Sequence, residues 1–91
     1  MTINEGMRKL GLRNPTTPED LELHWNKTLT YGDKILVAGY YYNGPVRPSW
    51  YGATYEFLTD DHTCEGMVGL RAVSGVEFED DGHAIAWAMQ Q

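Results

Sequence analysis

The chain has 91 residues, 13 acidic and 7 basic side chains, and a formal net charge of −6. This length accommodates one domain with one modest core, and it excludes a large cofactor-binding α/β enzyme. The charge argues against a broad basic surface for nucleic acid, because phosphate contacts need clustered Lys and Arg. A hydrophobic fraction of 42% argues against wholesale disorder. We therefore expect one folded domain over residues 1–91.

Cysteine content and the N-terminal sequence bear on the compartment. Cys64 is the only cysteine, so no disulfide can form within the chain. The first residues lack the apolar core of a signal peptide, and no apolar run of about 18 residues is available to span a bilayer. These features predict a cytoplasmic protein without a membrane segment, located in the host cytoplasm if the protein is viral.

The first third of the chain carries two helix signals. Thr2 and Glu5 have the spacing of a capping box, and the apolar residues that follow recur at helical intervals up to Gly11. Thr17-Pro18-Glu19-Asp20 is a stronger start signal, with a capping Thr, a Pro at the first helical position and two acids at the positive end of the dipole. Leu21, Trp25 and Leu29 continue on one face. We therefore expect residues 1–31 to form a helical N-terminal part, with a loop at residues 13–16 between the two helices.

From Lys34 onward the apolar pattern changes to a period of two, which is typical of strands. We predict strands at Lys34–Tyr42, Tyr51–Leu58 and Gly66–Val73, a short extension at Val76–Glu79, and a hairpin turn at residues 80–82. His83–Met89 alternates between Ala and larger residues, which favours a strand. The alternative is a helix, because Ala, Met and Gln are good helix formers and Asp81 could cap it.

The predicted fold class is α+β. One or two N-terminal helices pack on a curved antiparallel sheet of four or five strands, which occupies residues 34–89. A small SH3-like barrel is one way in which such a sheet could close.

An aromatic hairpin is the densest feature of the sequence. Seven of the 11 aromatic residues fall within residues 40–57, beside a loop with two prolines and one arginine. Tyr, Trp and Arg are enriched where proteins bind one another. The segment therefore predicts a partner-docking surface or an aromatic pocket for a flat ligand, with Arg47 on an anionic group. The alternative is a hairpin whose aromatics simply cover a small core. The candidate binding residues are Tyr40, Tyr42, Arg47, Trp50 and Tyr51.

Negative charge is concentrated in the second half of the chain. Residues 1–48 hold six bases and five acids, whereas residues 49–91 hold eight acids and only Arg71. If the loops at residues 60–65 and 79–82 lie at one end of the sheet, they form a negative lobe that could meet a basic partner. The alternative is a solvated surface that keeps the protein in solution. The candidate acidic surface consists of Asp60, Asp61, Glu77, Glu79, Asp80 and Asp81.

Catalytic and metal-binding signals are weak. Asp60, Asp61, His62 and Cys64 lie close together in sequence, but zinc sites favour recognisable Cys and His spacings that are absent here. His62 and Cys64 are too close in sequence for a well-oriented nucleophile and base. We therefore expect no enzymatic activity, no metal and no cofactor.

Together these features predict a small, acidic, non-catalytic binding protein that inhibits or modulates a larger macromolecule. The expected partner is a protein or protein complex with a basic surface, and such chains are typical of those that bacterial viruses direct against host defence. The alternative is a protein that binds or sequesters a nucleotide-like ligand in an aromatic pocket. A homodimer joined by sheet edges or exposed aromatics would enlarge the core.

Overall fold

The computed structural model describes residues 2–23, 26–40, 49–58, 66–74 and 77–91. The four strands form one antiparallel sheet in the order β1-β2-β3-β4, so each strand pairs with its neighbours along the chain. The α+β fold class is confirmed. None of the described helices is long and apolar enough to cross a membrane. The elements are α1 (Ile3–Leu10), α2 (Pro18–Leu23), β1 (Lys27–Tyr31), β2 (Lys34–Tyr40), β3 (Trp50–Phe57), β4 (Val68–Val73) and α3 (Asp81–Met89).

The central strands are buried on both faces. Four consecutive residues of β2, from Ile35 to Ala38, are each at most 2% exposed. Since side chains alternate along a strand, Ile35 and Val37 enter the core on one face, where Leu12 and Leu21 from the N-terminal helical region cover them. Leu36 and Ala38 point to the opposite face, where α3 packs across β2 and β3. We name these the α1/α2 face and the α3 face.

Close approach of α3 depends on small residues. Ala84 and Ala88 are fully buried, and the Thr54 hydroxyl of β3 donates a hydrogen bond of 3.0 Å to the Ala88 carbonyl. A Cβ added at Gly52 would lie 2.6 Å from the carbonyl oxygen of Ala84. The helix therefore sits at a distance from the sheet that only glycine at position 52 permits.

The prediction of helix through Tyr31 is wrong from Lys27 onward, because Lys27–Tyr31 forms strand β1. The segment alternates and contains two β-branched threonines, which favour a strand. A two-residue turn follows, in which Gly32 adopts a positive φ of 63°, and the hairpin pairs Tyr31 with Lys34. Pairing with β2 thus overrides the helical spacing of Leu21 and Leu29.

The prediction of a strand at His83–Met89 is also wrong, because Asp81–Met89 forms helix α3. The Asp80 side chain caps this helix by accepting a hydrogen bond from the His83 backbone N–H. The small residues in the alternating pattern include Ala84 and Ala88, one helical turn apart, which face the sheet. The helical alternative is therefore correct, with Asp80 rather than Asp81 as the cap.

The remaining strand predictions agree with the structure within the described residues. The three predicted strands correspond to β2, β3 and β4, and the predicted extension at Val76–Glu79 provides an isolated antiparallel bridge between Phe78 and Trp50. Val76, and Tyr42 at the end of the first predicted strand, lie outside the described residues. Within the described residues β1 and β4 do not pair with each other, so closure into an SH3-like barrel is not confirmed.

Gly52→Ala tests the contact between α3 and the sheet. The added methyl group meets backbone of α3 that cannot move independently, so we expect a loss of about 1–3 kcal/mol in the free energy of unfolding, measured by urea denaturation. Gly69→Ala in β4 is the matched control, since its Cβ would meet the end of the Leu58 side chain, which is exposed and can rotate away. Equal stability losses in the two variants would contradict this account of the packing.

Candidate functional site

Tyr40 and Trp50 meet at one end of the sheet. They are register partners, Tyr40 at the end of β2 and Trp50 at the start of β3. Their ring centroids are 5.3 Å apart and the ring planes are 85° to one another, an edge-to-face arrangement that aromatic pairs prefer. Alternation along the strands places both rings on the α3 face. Both residues are half-buried, so part of the aromatic pair is exposed.

The backbone around this pair is held in place by hydrogen bonds. Trp50 N–H donates to the Phe78 carbonyl at 2.9 Å, and Phe78 N–H donates to the Trp50 carbonyl at 2.8 Å. Beside this bridge, the buried Ser49 hydroxyl donates to Glu77 Oε2 at 2.8 Å, and the buried Ser74 hydroxyl accepts from Gly52 N–H at 3.0 Å. The described segments around Trp50 are thus held together by hydrogen bonds within the chain.

Four carboxylates gather at the same end of the molecule. Glu77 flanks Phe78 and Glu79 is exposed. His83 hydrogen-bonds Asp80 through its backbone N–H and, at 2.7 Å, through Nδ1; these bonds lower the pKa of the Asp80 carboxyl. A hydrogen bond and ion pair with Lys27 of β1 lowers the pKa of Asp81. The candidate site, which we call the aromatic–acidic end, consists of Tyr40, Trp50, Phe78, Glu77, Glu79, Asp80 and Asp81.

The structure separates Tyr51 from the other predicted binding residues. Tyr51 is 6% exposed and belongs to the core on the α1/α2 face, and burial raises its pKa to about 12. Its ring packs against Gly39, a position where a larger residue would collide with it. Tyr51 therefore supports the fold and does not share a surface with Tyr40 and Trp50. Tyr42 and Arg47 lie outside the described residues.

The predicted acidic surface is described only in part. Asp60 and Asp61 lie outside the described residues. The strand ends that flank them, Phe57 of β3 and Val68 of β4, are paired at the end of the sheet opposite Trp50. The described acidic residues at the aromatic–acidic end therefore come from residues 77–81.

A pocket of about 220 Å³ lies on the α3 face toward the opposite end of the sheet. Its polar groups are already engaged within the protein, since Arg71 pairs with Glu56 at 3.0 Å and Lys34 donates to the Gln91 backbone oxygen at 2.7 Å. Small-molecule sites are usually larger, at roughly 300–1,000 Å³. The pocket is therefore a weaker candidate. It is lined by Lys34, Thr54, Glu56, Arg71, Ala72 and Gln91.

Metal coordination finds no support in the described part of the chain. Within residues 2–23, 26–40, 49–58, 66–74 and 77–91, no group of three or more His, Cys, Asp or Glu side chains is arranged to hold an ion. His62 and Cys64 lie outside those residues.

Two residues at or beside the aromatic–acidic end, Phe78 and Ser49, were not among the sequence-based candidates. Phe78 lies in a segment in which apolar and acidic residues alternate. That alternation predicted an extended strand, but it did not predict that the strand would pair with Trp50. Ser49 directly precedes Trp50, and nothing in its sequence context indicates that it is buried or that its hydroxyl donates a hydrogen bond to Glu77. Both roles arise from pairing between segments 28 residues apart, which local patterns do not report.

Comparison with known proteins identifies the family. Residues 12–91 match the family model of Nmad4, Nucleotide modification associated domain 4. Since the match covers most of the chain, the protein belongs to this family. No curated protein and no solved structure matches the chain.

Asp80→Asn tests the electrostatic part of the α3 cap. Asn still caps helices well but carries no charge that pH can change. Because the pKa of Asp80 is lowered in the folded protein, its stabilising effect is complete above the ordinary Asp pKa and disappears as pH falls through the folded value. Between roughly pH 5 and pH 2, the free energy of unfolding should fall more steeply for wild type than for Asp80→Asn. Glu79→Gln, which leaves the cap intact, should follow wild type; identical acid profiles for wild type and Asp80→Asn would refute the assignment.

Proposed function

We propose that this member of the Nmad4 family acts in a nucleotide-modification system as a non-catalytic binding protein, which inhibits or modulates a larger macromolecule. The supporting observation is the half-exposed Tyr40–Trp50 pair, held in a fixed frame and bordered by carboxylates. An aromatic anchor with a polar rim is the arrangement found at energetically important parts of protein interfaces. The family match supports the proposed cellular process, and this surface supports the proposed mode of action.

The expected partner is a protein with a basic surface. Proteins that act on nucleic acids carry Lys and Arg clusters that neutralise phosphates. Carboxylates at the aromatic–acidic end could occupy such a cluster in place of phosphates, while Trp50 and Tyr40 bury apolar area beside it. Complementary charge would also speed association. The protein would thus regulate a modifying enzyme by covering the surface that the enzyme uses for its own substrate.

Binding of a nucleotide in an aromatic pocket is the second candidate, and the family description favours it. The geometry is less favourable. A base held between two rings needs parallel faces roughly 7 Å apart, whereas the Tyr40 and Trp50 planes are 85° to one another. Tyr51 is buried on the other face, and the neighbouring carboxylates repel phosphate. Origin in a bacterial virus and action against host defence stay predictions.

Replacing Glu77 and Glu79 together by Gln should weaken partner binding. The amide oxygen introduced at position 77 can still accept the Ser49 hydrogen bond, so the frame is retained while two negative charges are removed. We expect affinity capture of the tagged full chain from its native cells to recover a nucleotide-modification protein with a basic surface. The double variant should retain less of that partner, with at least about a tenfold loss in affinity, and raised salt should have the same effect.

Two matched variants control that experiment. Glu19→Gln with Glu22→Gln removes the same charge from α2, and Leu58→Ala truncates an exposed side chain at the opposite end of the sheet. Both should bind like wild type, whereas Trp50→Ala should lose binding with little change in far-UV circular dichroism. Equal binding by all variants would refute the proposed surface.

A nucleotide panel separates the two candidate functions. A nucleotide at about 100 times its Kd would stabilise the protein by about 2.7 kcal/mol, and a domain of this size gains roughly 4–8 °C in Tm per kcal/mol. We expect no increase in Tm with free ribo- or deoxyribonucleotides at millimolar concentration. A rise of several degrees that disappears in Trp50→Ala would favour the nucleotide-binding alternative instead.

A further inference from the structure

The two edges of the sheet differ in how their backbone groups are hydrogen-bonded. At the β4 edge, Thr16 exchanges two backbone hydrogen bonds with Val68, of 2.9 and 2.8 Å, and Asn14 Oδ1 accepts from Leu70 N–H at 3.0 Å. At the β1 edge, no backbone group in the described residues pairs with the outer side of the strand. Folded proteins usually protect sheet edges, because unpaired strands recruit other strands.

Hairpin geometry identifies the free groups of β1. In a two-residue hairpin the residues beside the turn exchange both backbone hydrogen bonds, and bonded and non-bonded pairs then alternate along the strands. The closing pair is Tyr31 and Lys34, so the N–H and C=O groups of Tyr31, Leu29 and Lys27 point toward β2. Those of Thr28 and Thr30 point outward. Within the part of the chain that the structure describes, the edge therefore presents four unpaired backbone groups on two threonines.

We infer that the β1 edge binds a second copy of this chain, by antiparallel pairing of β1 with β1 about a two-fold axis through Leu29. In this register Thr28 of each copy lies opposite Thr30 of the other, and all four outward backbone groups of each strand are paired. The result is a continuous eight-stranded sheet. This inference is independent of the proposed function, since it involves a different edge of the molecule.

The side chains of β1 are complementary to themselves in that register. On the α3 face, Leu29 meets Leu29 of the second copy, and Lys27 lies opposite Tyr31, so no like charges are juxtaposed. On the α1/α2 face, Thr28 lies opposite Thr30, a favourable cross-strand pair. Leu29 is 46% and Tyr31 51% exposed in the single chain, although both are large and partly apolar. Pairing would cover part of that area.

Helix α3 adds apolar surface next to the edge. Asp81 contacts Lys27 of β1, and residues at intervals of four lie on one side of a helix. Ile85 and Met89 therefore lie on the side of α3 that looks toward β1, and Met89 is 42% exposed. The two-fold axis is perpendicular to the sheet, so both α3 helices lie on the same face of the dimer and border its central strands.

The predicted interface is small. It consists of one pair of five-residue strands with a narrow apolar flank, less than the roughly 1,600 Å² of a standard stable interface. We therefore expect a dimer that dissociates on dilution, with a midpoint in the micromolar range, rather than an obligate dimer.

Thr30→Pro tests the pairing by removing one outward N–H, since proline is tolerated on edge strands where the N–H faces solvent. Sedimentation equilibrium over a concentration series should show wild type shifting from one to two chain masses, whereas Thr30→Pro stays at one. Thr30→Ala keeps the N–H and should dimerise like wild type. Circular dichroism and thermal melting confirm that each variant is folded. A wild-type chain that stays monomeric at about 1 mM overturns the inference.

A cysteine cross-link tests the register even if Thr30→Pro fails to fold. In a Cys64→Ser background, Leu29→Cys places two thiols opposite each other in a non-hydrogen-bonded pair, where Cβ atoms are near disulfide distance. Mild oxidation should give a disulfide-linked dimer in high yield. Leu58→Cys, at a position that is more exposed than Leu29 (58% against 46%) but distant from the edge, should cross-link poorly. Equal yields from the two variants, or a dimer in which Leu29→Cys does not cross-link, contradict the proposed pairing.

Discussion

Burial of the central strands on both faces is the constraint on which the fold depends. Every residue from Ile35 to Ala38 is at most 2% exposed, so both faces of the sheet need a cover, which a 91-residue chain must provide from short elements. Leu12 and Leu21 cover one face and α3 covers the other. Position 52 must then be glycine, because α3 approaches closely enough for the Thr54 hydroxyl to bond a helix carbonyl. Among the described residues, no element is left to pair with the outer side of β1.

Local patterns predicted most of the elements, and tertiary contacts decided the others. Thr2 caps α1 as the spacing with Glu5 indicated, and the period of two from Lys34 onward located β2. Residues 27–31 contained both a helical spacing and β-branched residues, and pairing with β2 determined the outcome. At residues 81–89, Ala84 and Ala88 are small because α3 packs closely on Gly52 and Thr54 of β3. That reason lies 30 or more positions away in the chain, beyond the reach of a local pattern.

The sequence predicted the kinds of residue in the candidate site, but it did not predict which of the aromatic residues share one surface. Alternation along a strand places consecutive residues such as Trp50 and Tyr51 on opposite faces of the sheet. It did not reveal that Tyr51 would be the buried one, since this depends on the space above Gly39 in the neighbouring strand. Trp50 and Tyr40 remain together because they are cross-strand partners. The acidic residues nearest to them follow from the Phe78–Trp50 bridge, which brings residues 77–81 to that end of the sheet.

The two proposed surfaces also constrain each other. The aromatic–acidic end lies where β1 begins, since Lys27 is paired with Ala38, two residues before Tyr40. Antiparallel pairing of two β1 strands reverses the direction of the second copy, so the two aromatic–acidic ends lie at diagonally opposite corners of the extended sheet. Five strand spacings and about eight residues of strand length separate the Trp50 residues, roughly 35 Å in all. Both ends therefore cannot cover one compact basic patch, and a dimer would instead bring two partner molecules together.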